Sequence, residues 1–150
     1  MDLQANIRTA VPAVFNPEGR AAVVRFEDAV RKLPQFECPL THYFVDGLYV
    51  REIFIPAGVV LVGYIHRQAC VTTISKGAIV IADGEHAPVV LRAPFTCAVP
   101  PGTKKAGFAL EDTIWCDAYV NQDDERDIAV LEARLTAVTH EQYLARIEHK

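Results

Sequence analysis

The sequence predicts a mainly β protein, an antiparallel jelly roll or small β-barrel with short helices at both ends. Between Tyr43 and Val120 the chain consists of short runs rich in Val, Ile, Thr, Tyr and Phe, which are typical of strands. Gly, Pro or Asp-Gly separates these runs, so the connections are very short. Because a parallel connection needs a crossover of about a dozen residues, we expect neighbouring strands to pair antiparallel.

Residues 1–39 are expected to form an N-terminal arm followed by a short helix. The first twenty residues contain two prolines and one glycine and show no sustained period, which indicates an irregular lead-in. From Arg25 onward, Phe26, Val30 and Leu33 recur at helical spacing, and Pro34 ends the pattern.

Residues 40–120 are expected to form the barrel. The predicted strands are 49–55, 59–65, 71–74, 78–82, 88–92, 95–99, 104–110 and 113–120. The predicted turns between them are 56–58, 75–77, 83–84, 100–102 and 111–112. About eight such strands must close on themselves or stack as two sheets, because open edges would otherwise be left unpaired.

Residues 121–150 are expected to form two C-terminal helices that pack on the barrel or on a dimer interface. The stretch 121–138 begins with acidic residues, which suit a helix N-terminus, and carries apolar side chains at helical spacing. Thr139 and Gln142 form a capping-box pattern that opens the last helix. The three segments together are predicted to make one domain.

Composition excludes some classes of partner. The chain has 150 residues, 51% of them hydrophobic, and a formal net charge of -4, so it has no basic field for nucleic acid. No apolar run approaches the roughly 20 residues needed to cross a bilayer, and we expect a cytoplasmic protein without membrane contact. The cysteines lack C-x-x-C spacing and are expected to be free thiols; they are Cys38, Cys70, Cys97 and Cys116.

Three stretches of the chain resemble the cupin superfamily: PAGVVLVGYIH, SKGAIVIADGE and RAPFTCAVPPGTKKAGFALEDTIW. The chain is most similar to the small single-domain, RmlC-like cupins of bacteriophage and prophage genomes, over residues 40–120. The shared features are the proline-glycine turn before the first motif, its closing glycine, the Asp-Gly hairpin and the Pro-x-Gly turn of the second motif. The resemblance implies a cupin barrel and a homodimer.

The resemblance also implies where a metal would bind. A cupin takes two histidines and a glutamate from the first motif and one histidine from the second. Counting from the motif glycine, Tyr64, His66 and Cys70 stand at the first three positions, and Lys105 stands at the last. Only His66 keeps the family residue, so the ordinary cupin metal site is not carried over.

His66 has two alternative interpretations. In the first it belongs to a pocket for a small polar ligand, with Tyr64, Cys70 and Lys105, and hydrogen-bonds to Tyr64 or to a backbone carbonyl. Tyr64 and His66 are two apart on one predicted strand and therefore share a face. Lys105 would be an anion hook or a base there, or else a surface residue beside Lys104.

In the second interpretation His66 binds a divalent metal. His66, Cys70 and His42, which stands just before the first predicted barrel strand, would then make a two-histidine, one-cysteine set with an open fourth position. Zinc suits thiolate and imidazole, and iron is the other candidate. Against this interpretation, a cysteine in an apolar run is usually buried and inert.

Three functions therefore stay open. The first is binding of a small polar ligand in the barrel. The second is a metal-dependent enzyme of the isomerase, lyase or oxygenase type, with His66 as a metal ligand and Tyr64 or Lys105 as proton donor or base. The third is a non-catalytic interaction protein of phage origin whose C-terminal helices carry the contact surface. One fold hosts many chemistries, so fold alone cannot choose.

Overall fold

Strands make up most of the chain between its helices. The structure is a computed structural model that describes residues 20–82 and 86–148. The predicted N-terminal arm, up to residue 19, and the predicted turn at 83–84 lie outside the described residues. The helices are α1 (Arg20–Val30), α2 (Ile128–Leu135) and α3 (His140–Glu148). The strands are β1 (Leu40–Val45), β2 (Gly47–Ile55), β3 (Val60–Val62), β4 (Ile65–His66), β5 (Cys70–Lys76), β6 (Ala78–Ala82), β7 (Val89–Arg92), β8 (Phe95–Val99), β9 (Ala106–Ala109), β10 (Thr113–Asn121) and β11 (Thr136–Ala137).

The strands form two main antiparallel sheets. One has five strands in the order β1-β2-β10-β5-β8, and the other has four in the order β3-β9-β6-β7. A two-stranded piece, β11 with β4, joins the C-terminal segment to the middle of the chain. Buried side chains from both sheets meet in one hydrophobic core. The predicted jelly-roll fold is confirmed, as two stacked sheets rather than a closed barrel.

Tight turns connect the strands, as the sequence predicts. Gly58, Gly77 and Gly102 all have positive φ angles, of 86°, 87° and 84°. Gly77 is also sterically required, because a Cβ there would overlap the carbonyl oxygen of Asp112. These glycines set where the sheet strands reverse direction.

Several predicted boundaries are wrong. The predicted strand 59–65 is interrupted at Gly63 and Tyr64, and His42 lies within β1 rather than before the first strand. The predicted helix over 121–138 covers only 128–135, because Thr136 and Ala137 extend to pair with β4.

The N-terminal helix also differs from its prediction. It ends at Val30, so that Leu33 lies beyond it and is 58% exposed, while Phe26 is 44% exposed. Among the helix residues from 22 to 30, Val23 and Glu27 are buried. The reason is an ion pair of 2.8 Å between Glu27 and the fully buried Lys104, which turns the Glu27 face of the helix toward the sheet.

The strand register places two chemically different rows of side chains on the inner face of the five-stranded sheet. Cross-strand partners share a face of a sheet. One row is mostly apolar and consists of Leu40, Ile53, Trp115, Ile74 and Phe95. The next row is polar and consists of His42, Arg51, Asp117, Thr72 and Cys97. Arg51 and Asp117 of the polar row line a cavity between the sheets.

Candidate ligand-binding site

A cavity of about 440 Å³ lies between the two main sheets. Its apolar lining includes Ile53, Ile55, Leu61, Ile79, Ile81 and Trp115, and its polar lining includes Arg51, Tyr64, His66, Lys105, Asp117, Tyr119 and Glu132. Phe36 and Leu40, which are 61% and 40% exposed, also line it and mark its opening to solvent. The volume is within the range of about 300–1,000 Å³ that is usual for small-molecule pockets.

His66 stands at the polar end of this cavity and is 6% exposed. The backbone holds it from two sides, since its N–H donates to the Thr103 carbonyl and its own carbonyl accepts from the N–H of Gly102. On the ring, Nε2 lies 3.3 Å from Lys105 Nζ and Nδ1 lies 3.3 Å from the Tyr119 hydroxyl. A lysine ammonium only donates, so Nε2 accepts, and the neutral ring carries its hydrogen on Nδ1.

Burial is the main reason that the pKa of His66 falls to about 3, and the nearby positive charges of Lys105 and Arg51 act in the same direction. The Asp117 carboxylate opposes them without prevailing. His66 is therefore neutral at pH 7 and offers a ring nitrogen as a hydrogen-bond acceptor.

The structure brings Lys105 into the cavity, and the alternative of a surface lysine is wrong. Lys105 is 9% exposed, and its Nζ also lies 5.2 Å from the centre of the Trp115 ring. Lys104 is fully buried on the other side, where its Nζ contacts Glu27 and donates to the Gly63 carbonyl at 2.9 Å. The two neighbouring lysines thus point to opposite sides of the chain.

Cys70 lies beside His66, with its Sγ 3.7 Å from Nδ1 of the ring. It is 5% exposed, and burial raises the pKa of its thiol to about 12, so that it is protonated at pH 7. All four cysteines are free, as predicted. Because Cys70 does not belong to the described lining of the cavity, a ligand there would meet His66 before it met this thiol.

Asp117 is a site residue that sequence reasoning misses. Its carboxylate accepts hydrogen bonds from the Trp115 indole at 3.0 Å and from the Thr72 hydroxyl at 2.5 Å. The sequence feature that could have indicated it is the alternation of Trp115, Asp117 and Tyr119 along β10. This alternation puts a charged residue on the same face as two buried aromatic residues. Sequence reasoning also misses Arg51, which lies on β2 directly opposite Asp117. Its place beside Asp117 follows only from the strand register.

Tyr64 and His42 are placed differently from the other predicted site residues. Tyr64 lines the cavity and is 39% exposed. The hydrogen-bond partners of the His66 ring among the described residues are Cys70, Lys105 and Tyr119, so the expected bond to Tyr64 does not form. His42 donates to or accepts from the Tyr49 hydroxyl at 2.7 Å. Tyr49 stacks on Tyr119, which places His42 at the far end of an aromatic row from His66.

One group of side chains in the described part of the chain has the donor atoms to hold a metal ion. It consists of His66, Cys70 and Asp117, each of which offers one ligand atom, and these atoms lie within 4.8 Å of one another. His42 is not in this group. The set combines imidazole, thiolate and carboxylate, the three donor types that zinc accepts in proteins.

Fold and cavity together define a jelly-roll protein with a polar pocket between its sheets. No protein-family model matches the sequence, and no curated protein matches it. The described helices include none that is long and apolar enough to cross a membrane.

The chain is similar in structure to several solved proteins, some of which are cupins. One is KdgF from Halomonas sp., with 18% identity, a TM-score of 0.49, and coverage of 64% of this chain and 90% of that one. Another is an RmlC-like cupin from Shewanella frigidimarina, with 21% identity, a TM-score of 0.47, and coverage of 63% and 89%. A third is an uncharacterized double-stranded β-helix protein from Klebsiella pneumoniae, with 14% identity, a TM-score of 0.49, and coverage of 63% and 85%.

Proposed function

We propose that the protein binds a small organic molecule in the cavity between its sheets. The observation that carries this proposal is the cavity of about 440 Å³ with convergent polar groups at one end and apolar side chains over the rest. Such a lining is typical of pockets in which a few polar groups orient a ligand and apolar contacts supply most of the burial.

Four side chains have distinct roles in this proposal. Lys105 supplies a cation that the neutral His66 ring holds in place through Nε2. The Tyr119 hydroxyl faces the opposite nitrogen of the same ring, so the ring is held on both edges. Tyr64, half-exposed at the break between β3 and β4, contacts the ligand from the open side.

The experiment uses Trp115, which is the only tryptophan in the sequence and lines the cavity. A library of small metabolites is screened by the fluorescence of Trp115 and by the thermal shift of the protein. The blocking variant Leu61→Phe places extra volume in the cavity, whereas Val60→Phe makes the same kind of change at a neighbouring position outside its lining.

A compound that binds in the cavity should lose at least about 10-fold in affinity in Leu61→Phe, which corresponds to about 1.4 kcal/mol, and should bind normally to Val60→Phe. Circular dichroism and the melting temperature check that both variants are folded. Affinities that are the same in Leu61→Phe and in the wild type would place the ligand elsewhere and overturn the proposal.

A second candidate function is metal binding at His66, Cys70 and Asp117, and the closeness of their donor atoms favours it. The 3.7 Å between Nδ1 and Sγ is close to the roughly 3.5 Å that separates a nitrogen and a sulfur ligand on one tetrahedral zinc. The residues therefore fit a zinc or iron ion of the kind that the cupin resemblance implies. Such an ion would supply a Lewis acid for the isomerase or lyase alternative, and iron would supply the redox chemistry for the oxygenase alternative.

Lys105 competes with a metal at this position. A neutral imidazole bound to a metal through Nδ1 carries its hydrogen on Nε2, and that hydrogen would face the Lys105 ammonium, which lies 3.3 Å away. The lysine side chain must therefore move when the metal binds. We expect Lys105→Met to bind zinc more tightly than the wild type.

The test is elemental mass spectrometry of protein purified without an affinity tag, followed by titration with zinc alone. We expect up to one zinc per chain, lost in Cys70→Ser and retained in Cys97→Ser, which changes another buried cysteine on the same sheet. Zinc binding that is equally strong in Cys70→Ser would rule out this site.

A further inference from the structure

Arg51 points to the kind of ligand that the cavity takes. It lies near the middle of β2, lines the cavity and is half-buried. Within the described residues its guanidinium makes no hydrogen bond and no ion pair. An arginine side chain carries five N–H donors and no acceptor, so a half-buried one without partners has a large unused capacity for an anion.

The neighbouring carboxylate does not use this capacity. Asp117 stands directly opposite Arg51 on β10, but the bonds that its carboxylate accepts come from the Trp115 indole and the Thr72 hydroxyl. Glu132 on α2 is the other carboxylate in the lining, and it lies within 4.0 Å of no described cation. The guanidinium thus stays available to a molecule in the cavity.

Lys105, which directly precedes β9 of the opposite sheet, brings a second cation to the same space. Its Nζ contacts the neutral ring of His66 at 3.3 Å. Arg51 is the cross-strand partner of Asp117, whose carboxylate lies within 4.8 Å of a ring nitrogen of His66. The two cations therefore lie at the same end of the cavity. The apolar part of the lining includes Ile55 and Trp115 from the five-stranded sheet and Ile79 and Ile81 from β6 of the other sheet.

We propose that the ligand is a small carboxylate with an apolar body, whose carboxylate pairs with Arg51 and Lys105 and whose body lies among the isoleucines and Trp115. The planar guanidinium pairs with both oxygens of a carboxylate, and the ammonium adds a point charge. This inference rests on the proposed function, because it needs a ligand in the cavity.

The test compares acids with their uncharged amides. The probes are hexanoate and 3-phenylpropionate, each set against hexanamide and 3-phenylpropanamide, with the Trp115 fluorescence and the thermal shift as readouts. We expect each acid to bind at least about 10-fold more tightly than its amide, since charged hydrogen bonds are worth about 1.5–3 kcal/mol.

The variants assign that preference to Arg51. Arg51→Met should remove the difference between acid and amide, and Arg51→Lys should weaken acid binding, because a lysine lacks the planar pair of donors. Arg92→Met is the matched control, since Arg92 is exposed and lies outside the cavity lining. It should bind all four probes as the wild type does. Circular dichroism verifies that each variant is folded.

The possible outcomes separate this inference from the proposed function. Equal binding of acids and amides, or a preference that survives Arg51→Met, would overturn the carboxylate assignment. If neutral compounds then still lost affinity in Leu61→Phe, cavity binding itself would stand. If Leu61→Phe weakened the binding of no acid and of no library compound, both proposals would be wrong.

Discussion

At the scale of single residues, His66 shows how a polar group is kept in an interior without becoming charged. Its two ring nitrogens face Lys105 on one side and Tyr119 with Cys70 on the other, so the buried ring is satisfied by hydrogen bonds. Unpaired burial of such a ring would cost several kcal/mol. The pocket interpretation uses Nε2 of this ring, which Lys105 contacts, and the metal interpretation uses Nδ1, which lies beside Cys70.

The burial of His66 makes the stability of the protein depend on pH. The pKa of His66 is about 3 in the folded state and 6.5 in the unfolded state, so the unfolded state binds more protons between these values. The free energy of unfolding contributed by this group is complete above pH 6.5 and is lost as the pH falls toward 3. Its slope approaches about 1.4 kcal/mol per pH unit well below pH 6.5.

We expect His66→Gln to lose stability less steeply than the wild type between pH 6.5 and pH 4. Urea unfolding at several pH values across this window measures the free energy of unfolding of both proteins. Subtracting one free energy from the other cancels the contribution of the other titrating groups. Parallel curves for the two proteins would show that His66 is not buried in its neutral form.

At the scale of elements, charged side chains hold the irregular parts of the fold. Lys104 pairs with Glu27 of α1 and donates to Gly63, in the break between β3 and β4. The N–H of Gly63 in turn donates to the carbonyl of Lys105. The helix is thereby connected to the segment that presents Tyr64 to the cavity.

The buried ion pair should be far more sensitive than an exposed one. Glu27→Gln leaves the charge of Lys104 buried without its carboxylate, and we expect a loss of about 3–5 kcal/mol in the free energy of unfolding. The control is Glu111→Gln, which breaks the exposed pair with Arg92 at 3.4 Å. It should cost at most about 1 kcal/mol. Equal costs in urea unfolding would mean that the buried pair does not fix α1.

Two turn glycines with nearly the same φ should respond differently to alanine. Gly77→Ala and Gly58→Ala both require an alanine in the left-handed region, at a cost of about 1–2 kcal/mol. Only at Gly77 would the added Cβ also overlap a backbone oxygen, whereas Gly58 has open space around it. We expect a clearly lower melting temperature for Gly77→Ala. Similar melting temperatures for the two variants would contradict the steric overlap expected at Gly77.

At the scale of the whole molecule, the C-terminal segment completes the fold around the site. Leu131 and Leu135 of α2 are 1% and 2% exposed and belong to the core. Thr136 pairs with His66 across β11 and β4, and its carbonyl accepts from the side chain of Arg67. The segment therefore supports the site, besides any contact surface that it offers to a partner.

We expect a chain truncated after Asp127 to lose cooperative unfolding, because it lacks two core leucines and the strand that pairs with His66. A chain truncated after Val138 keeps both features and should unfold cooperatively. Thermal unfolding followed by circular dichroism compares them. A cooperative transition in the shorter chain would show that α2 and β11 are not part of the folding unit.

The predicted homodimer, cytoplasmic location and phage origin stay predictions. Sedimentation equilibrium of the full chain measures the first of them, and a mass of two chains is the expected result. A mass of one chain at every concentration would show that the predicted homodimer does not form.

The sequence by itself determined the jelly-roll class and the positions of the glycine turns at Gly58, Gly77 and Gly102, and it proposed His66 and Lys105 as candidate site residues. Alternating β-branched runs and glycines carry this information locally, because side-chain direction alternates along a strand and a positive φ selects glycine. Only the tertiary structure decided that Arg51 and Asp117 join these residues and that Lys104 is buried against Glu27. It also decided that Cys70 and Asp117, rather than His42, lie beside His66. The physical reason is that these neighbours come from strands and helices far apart in the chain, and the pairing register and packing of the elements bring them together.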